Sequence, residues 1–169
     1  MHAFADWLQA TALSSSIKSA SWLIPLLQSI HILTIGVVFV SSLMIVLRVL
    51  GYMRNDEAVG EVWQRFAPWM WGGVIVMGLT GLTLVVAEPV REFTTVSFWI
   101  KMLLVAVAVT GNALYGRSLM RVKRPAAVDF PLSAKAASLA IALVWLAIIF
   151  LGRAIAYDKE VWGSLSLHG

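Results

Sequence analysis

Two long stretches of this chain carry no charge, one between Lys18 and Arg48 and the other between Arg65 and Glu88. About 20 apolar residues in a helix cross a hydrocarbon core of about 30 Å, because each residue adds about 1.5 Å. The first stretch supplies a span over about 22–47 and the second over about 66–87. A third candidate, 96–115, contains one charge, Lys101, and a fourth, 136–156, has Arg153 in its last turn. Gly51, Asn55, Pro89, Pro125 and Pro131 fall between them, where loops are needed. Membrane β-strands are about 10 residues long and alternate in polarity, so these lengths predict helices. The expected fold is all-α: an integral membrane four-helix bundle.

Composition agrees. Of 169 residues, 60% are hydrophobic and 13% charged, whereas soluble domains carry about 25% charged residues. Eight tryptophans and seven phenylalanines exclude a disordered chain. The absence of cysteine excludes disulfides, thiolate metal sites, iron–sulfur clusters and thiol nucleophiles. The net charge of +4 reads as topological, because Lys and Arg collect on the cytoplasmic side of membrane proteins. Eight of them, Arg48, Arg54, Arg65, Arg117, Arg121, Lys123, Arg124 and Lys135, lie in the loops after the first and third spans. Lys18, Arg91, Arg153 and Lys159 lie on the other side. The expected location is therefore the bacterial inner membrane, with both termini periplasmic. The basic run 121–124 is short enough to serve topology alone, so no nucleic-acid partner is expected.

The chain divides into an N-terminal segment 1–21, a transmembrane domain 22–157 and a tail 158–169. The first segment lacks the basic start of a cleaved signal, and the apolar run after it is too long for one. Phe4, Trp7 and Leu8 share one side of a helical plot, as in an amphipathic helix lying in the interface. The polar run Thr11 to Ser16 punctuates it.

Ionisable groups at membrane depth are costly and usually mark function. His31 is the prime candidate, near mid-span, with Gln28 one turn earlier on the same face. Its plain alternative is a histidine satisfied by a hydroxyl or carbonyl of a neighbouring helix. Lys101 and Arg153 enter the outer layer from the third and fourth spans, and Glu88 from the end of the second. Lys101 either joins a site or snorkels to the interface, and Glu88 can pair with Lys101 or Arg153. In the inner half, Asn112 and Thr110 can reach Ser41 or Ser42. Gly72, Gly73, Gly78 and Gly81 offer close approach on the second span. Met44, Met70, Met77 and Met102 are soft donors or core filler. Trp22, Trp69, Trp71 and Trp99 suit the interfacial belt, and Trp145 sits mid-span. No phosphate loop, HExxH motif, intramembrane acidic pair or serine triad is present, so catalysis stays unassigned.

Trp22-Leu-Ile-Pro25, Gln28-Ser-Ile-His31, Gly36 and Leu47-Arg48-Val-Leu-Gly51 resemble a group of uncharacterised bacterial four-helix inner-membrane proteins. Phe98-Trp-Ile-Lys101 and Asn112 match that group too, and Val46 stands where it carries an acidic residue. More distantly, a first-span histidine and a Trp-x-Lys opening a later span are similar to HemJ-type protoporphyrinogen oxidases and CopD-like copper-resistance domains. Those resemblances imply haem b or copper, with His31 as metal ligand and Lys101 as partner to a propionate or carboxylate.

Three readings follow. The first is a membrane haem or redox protein using His31, with Lys101, Gln28 and Arg153 around the cofactor. The second is a non-catalytic subunit or self-assembling bundle, contacting lipid and forming a homo-oligomer or joining a membrane complex. The third is a copper-handling protein.

Overall fold

The computed structural model describes residues 2–121 and 129–163. The expectations that rest on Lys123, Arg124, Pro125 and the tail beyond 163 lie outside the described residues. The fold is all-α, with no strand among the described residues. Four helices are long and apolar enough to cross a membrane: α3 (Leu23–Leu50), α4 (Val59–Ala87), α6 (Val96–Arg121) and α7 (Leu132–Ala154), the last continued by a 3₁₀ turn (Ile155–Tyr157). The chain is a multi-pass membrane protein. Short helices α1 (His2–Gln9), α2 (Ala12–Ser19), α5 (Pro89–Phe93) and α8 (Asp158–Trp162) gather at the end of the bundle that carries the termini.

Each span runs several residues past its uncharged window at the loop end. Arg48, Arg65 and Arg121 are helical; the exposed Arg65 and Arg121 extend to the interface while their backbone continues the helix, and buried Arg48 is held by the Glu57 carbonyl. Gly51 stops α3 at φ +84°, the left-handed cap that lacks a Cβ penalty, and its N–H reaches the carbonyls of Arg48 and Leu47. Pro25 sits in the first turn of α3, where its missing N–H has no intrahelical acceptor to lose. Pro68 lies inside α4 on an exposed face.

Around the bundle the order is α3, α4, α6, α7, with α7 closing back on α3. The α3–α4 face is the broadest and α4–α6 the narrowest of the four. Lipid is as apolar as the helices, so packing rather than exclusion of water holds them together, and small residues let backbones approach. A Cβ on Gly73 would lie 2.6 Å from Val38 Cγ2, and one on Gly81 would lie 3.2 Å from His31 Cε1. These two glycines face α3, whereas Gly72 and Gly78 have nothing within 4 Å. Val38, Met70, Trp145 and Ile148 are completely buried at the centre. Trp145 packs without a stacked ring, and its buried indole N–H has no acceptor among the described residues.

The N-terminal segment forms two helices rather than one followed by a polar break. Thr11 begins the second, its hydroxyl oxygen accepting from the Ser14 N–H at 3.3 Å, so the polar run is itself helical. The Ser14 hydroxyl, fully buried, donates to the carbonyl of Ala87 at 3.3 Å, giving a carbonyl at the end of α4 a partner. Phe4, Trp7, Phe93, Phe98 and Trp99 link α1, α5 and α6 through ring contacts 5.5–6.0 Å apart. Phe4, Trp7, Trp22 and Trp99 remain exposed around this plate, as an aromatic interfacial belt requires.

Candidate functional site

His31 sits on the face of α3 turned toward α4. Its Nδ1 lies 2.9 Å from Thr80 Oγ1. The Thr80 hydroxyl donates to the Val76 carbonyl at 2.8 Å, with the Met77 carbonyl at 3.2 Å. A hydroxyl has one proton, so with that proton committed its oxygen accepts from His31 Nδ1–H. The neutral imidazole then carries its lone pair on Nε2. The hydrogen bond that fixes the ring therefore comes from Thr80. Gln28, one turn away and half-buried, is not the residue that supplies it.

Lys101, half-buried on α6, is close enough to interact electrostatically with both His31 and Glu92. Among these groups the direct contact is the hydrogen bond between His31 on α3 and Thr80 on α4. Glu88 pairs with Arg91 on its own turn at 2.6 Å, not with Lys101 or Arg153. Arg153 is exposed, its guanidinium 5.6 Å from the ring centre of Tyr157. Asn112 donates to the Ala108 carbonyl of its own helix at 3.0 Å, leaving the Ser41 and Ser42 contacts unmade.

Glu92 lies outside the spans, and burial pushes its carboxyl above the ordinary value of 4.5; Lys101 and Arg91 oppose the shift and Glu88 reinforces it. A carboxyl with a raised folded-state pKa contributes stability that is full below the unfolded value and lost as pH rises through the folded one. The unfolding temperature is therefore expected to fall as pH rises from about 4.5 through the raised folded-state value. Glu92→Gln should flatten that fall in a thermal series against pH, and an unchanged slope would refute the assignment.

Sequence reasoning missed two further constellations. The first is a cap at the start of α6. Asp158 Oδ1 accepts from the Ser97 N–H at 3.3 Å and from the Ser97 hydroxyl at 3.0 Å. The Ser97 Oγ in turn accepts from Trp162 Nε1 at 2.7 Å. Asp158 is 3% exposed, so the negative charge sits buried against the positive end of a helix dipole.

The second lies at the loop end and centres on Glu57. Arg54 Nη1 donates to Glu57 Oε1 at 2.6 Å, and Arg65 Nη2 lies 3.1 Å from Oε2. Buried Arg48 donates from Nε to the Glu57 carbonyl at 2.8 Å. Arg54 adopts φ +54°, a left-handed conformation unusual outside glycine.

His31 is the one imidazole within the spans, and with Nδ1 held by Thr80 its Nε2 is the atom that would hold a haem iron or a copper ion, while Gly81 closes on the Cε1 edge of the ring. An open groove of 480 Å³ runs along α3 and α4, but its α3 wall centres on Leu33, Val37 and Val40. At about 100° per residue these positions lie on the opposite side of the helix from His31. Met44, Met70 and Met102 are spread over three helices, Met102 outward-facing, and no cluster of three His, Cys, Asp or Glu suited to a metal occurs among the described residues.

Comparisons with protein-family models, with characterised proteins and with solved structures find no match.

Proposed function

We propose that this chain is a non-catalytic subunit of the bacterial inner membrane, a bundle whose polar groups tie helices together. The observation that carries this reading is the hydrogen bond from His31 to Thr80. The one histidine at membrane depth has its partner on the adjacent helix, and the close fit of Gly81 against the ring makes the pair a packing element. The four spans each bury only 22–28% of their most apolar window within the chain, which leaves broad faces for lipid, a second copy or another membrane subunit. The placement of Arg48, Arg54, Arg65, Arg117 and Arg121 supports an orientation with the loops cytoplasmic and the termini periplasmic. The resemblance to bacterial four-helix inner-membrane proteins through Trp22, Pro25, His31 and Gly51 supports the same setting.

The test is purification of the full chain in mild detergent, followed by its visible spectrum and metal content. A colourless, metal-free protein is expected. His31→Ala should lower stability by about 0.6–1.7 kcal/mol, the range for hydrogen bonds between membrane helices. His31→Asn keeps an amide donor near the Nδ1 position and should recover part of that loss. A Soret band that vanishes in His31→Ala would overturn the reading in favour of haem. Crosslinking from the exposed positions Leu79 and Leu146 in intact membranes should capture a polypeptide; adducts to lipid alone would argue against a subunit role.

A further inference from the structure

The groove on the outer surface of α3 and α4 is walled by Leu33, Val37 and Val40 on one side and by Phe66 and Trp69 on the other, with Gly36 opening its floor. Its α3 wall covers about two helical turns, from Leu33 to Ser41, and the groove is open along its outer side. Its loop end meets charge. Arg54 lays its guanidinium over the ring of Phe66, 5.5 Å from the centroid, and Phe66 is itself part of the groove wall. Arg54 and Arg65 share a single carboxylate, Glu57. Neither forms an ion pair with the exposed Asp56 or Glu61 among the described residues. Arg54 Nε is buried without an acceptor among the described residues, so the Nη groups are the part of the guanidinium that faces outward partners. Two cations held by one carboxylate at the end of an apolar channel complement an anion that carries a hydrocarbon tail.

We infer that this groove binds one anionic phospholipid, its acyl chain lying between α3 and α4 and its phosphate meeting Arg54 and Arg65. The lipid comes from the leaflet that faces the 51–58 loop. Arg presents a planar fork suited to two phosphate oxygens, and basic pockets between spans on the cytoplasmic side are suited to lipid headgroups. The inference stands independently of the subunit reading, since it uses neither His31 nor Thr80.

Native mass spectrometry of the full chain from detergent, titrated with phosphatidylglycerol, phosphatidylcholine or glycerol phosphate, tests it. One phosphatidylglycerol per chain should bind about tenfold more tightly than phosphatidylcholine, and glycerol phosphate should not be retained. Arg54→Gln should erase the preference between the two lipids by removing charge. Gly36→Leu should weaken phosphatidylglycerol about tenfold by filling the floor. No atom lies within 4 Å of a Cβ at Gly36, so the first carbon of the new side chain meets no neighbour, and an unchanged unfolding temperature checks that the bundle is intact; Arg65→Gln provides a second charge variant. Equal retention of both lipids would show an unspecific annulus and overturn the proposal. Retention of glycerol phosphate would show an anion site without a groove, and binding unchanged by Gly36→Leu would place the lipid elsewhere; either result overturns it as well.

Discussion

Gly116→Ala is expected to destabilise the protein by about 3 kcal/mol or more, the upper range for overpacking a closed core. A Cβ at this position would fall inside the ring of Trp63, overlapping Cζ2 and Cη2 and lying 2.6 Å from Cε2. The indole cannot swing away, because it is 6% exposed and packed in the core with Val59, Val62 and Met70. The remaining response is for α6 to move off α4, and that face is already the narrowest in the ring of helices. Thermal unfolding in detergent and accumulation in membranes both report the effect. Trimming the ring provides the control. Trp63→Leu costs stability alone, yet Gly116→Ala should be nearly neutral in that background, so the double-variant cycle should show strong coupling. An alanine variant that unfolds with the parent would refute this account of the α4–α6 contact.

Asp158→Ala is the second substitution with a large expected effect, about 2–3 kcal/mol. It removes the acceptor of the Ser97 N–H and hydroxyl, leaving two buried donors at the start of α6 without their partner. The loss spreads to Trp162, whose indole N–H is held by the same serine oxygen. Trp162 emission should shift to the red as the α8 turn loosens, and the Ser97 amide should exchange faster with deuterium. Asp158→Asn keeps an acceptor and loses the charge, so it should fall between the parent and the alanine variant. If neither probe responds to the alanine substitution, Asp158 is not the cap.

The four spans are legible in the sequence because the bilayer imposes one length on each, and charge-free runs of that length have few other uses. Helix ends are less legible. Arg65 and Arg121 carry charge, yet a flexible basic side chain costs little at the interface, so the helix continues beneath it. His31 stands out by depth alone. Its partner Thr80 does not, since a threonine can satisfy its own hydroxyl on the preceding turn and gives no sign of bonding across helices. Arg153 and Glu88 share a layer with His31 in the sequence, but layer does not fix direction. One turns outward toward Tyr157 and the other pairs within its own turn. The cap of α6 is the least legible element. Ser97 and Asp158 are 61 residues apart, and no local pattern joins a carboxylate to a helix start at that distance. Gly116 gives no hint of the indole it accommodates, because Trp63 comes from another span.

That distance along the chain has a consequence for biosynthesis. The start of the third span obtains its buried acceptor only after the fourth span has been made and the turn following it has emerged. Until then, Ser97 presents unmatched donors at the membrane surface. A chain shortened within its last span therefore lacks the carboxylate that accepts from Ser97, and the third span is completed by a residue made after the fourth.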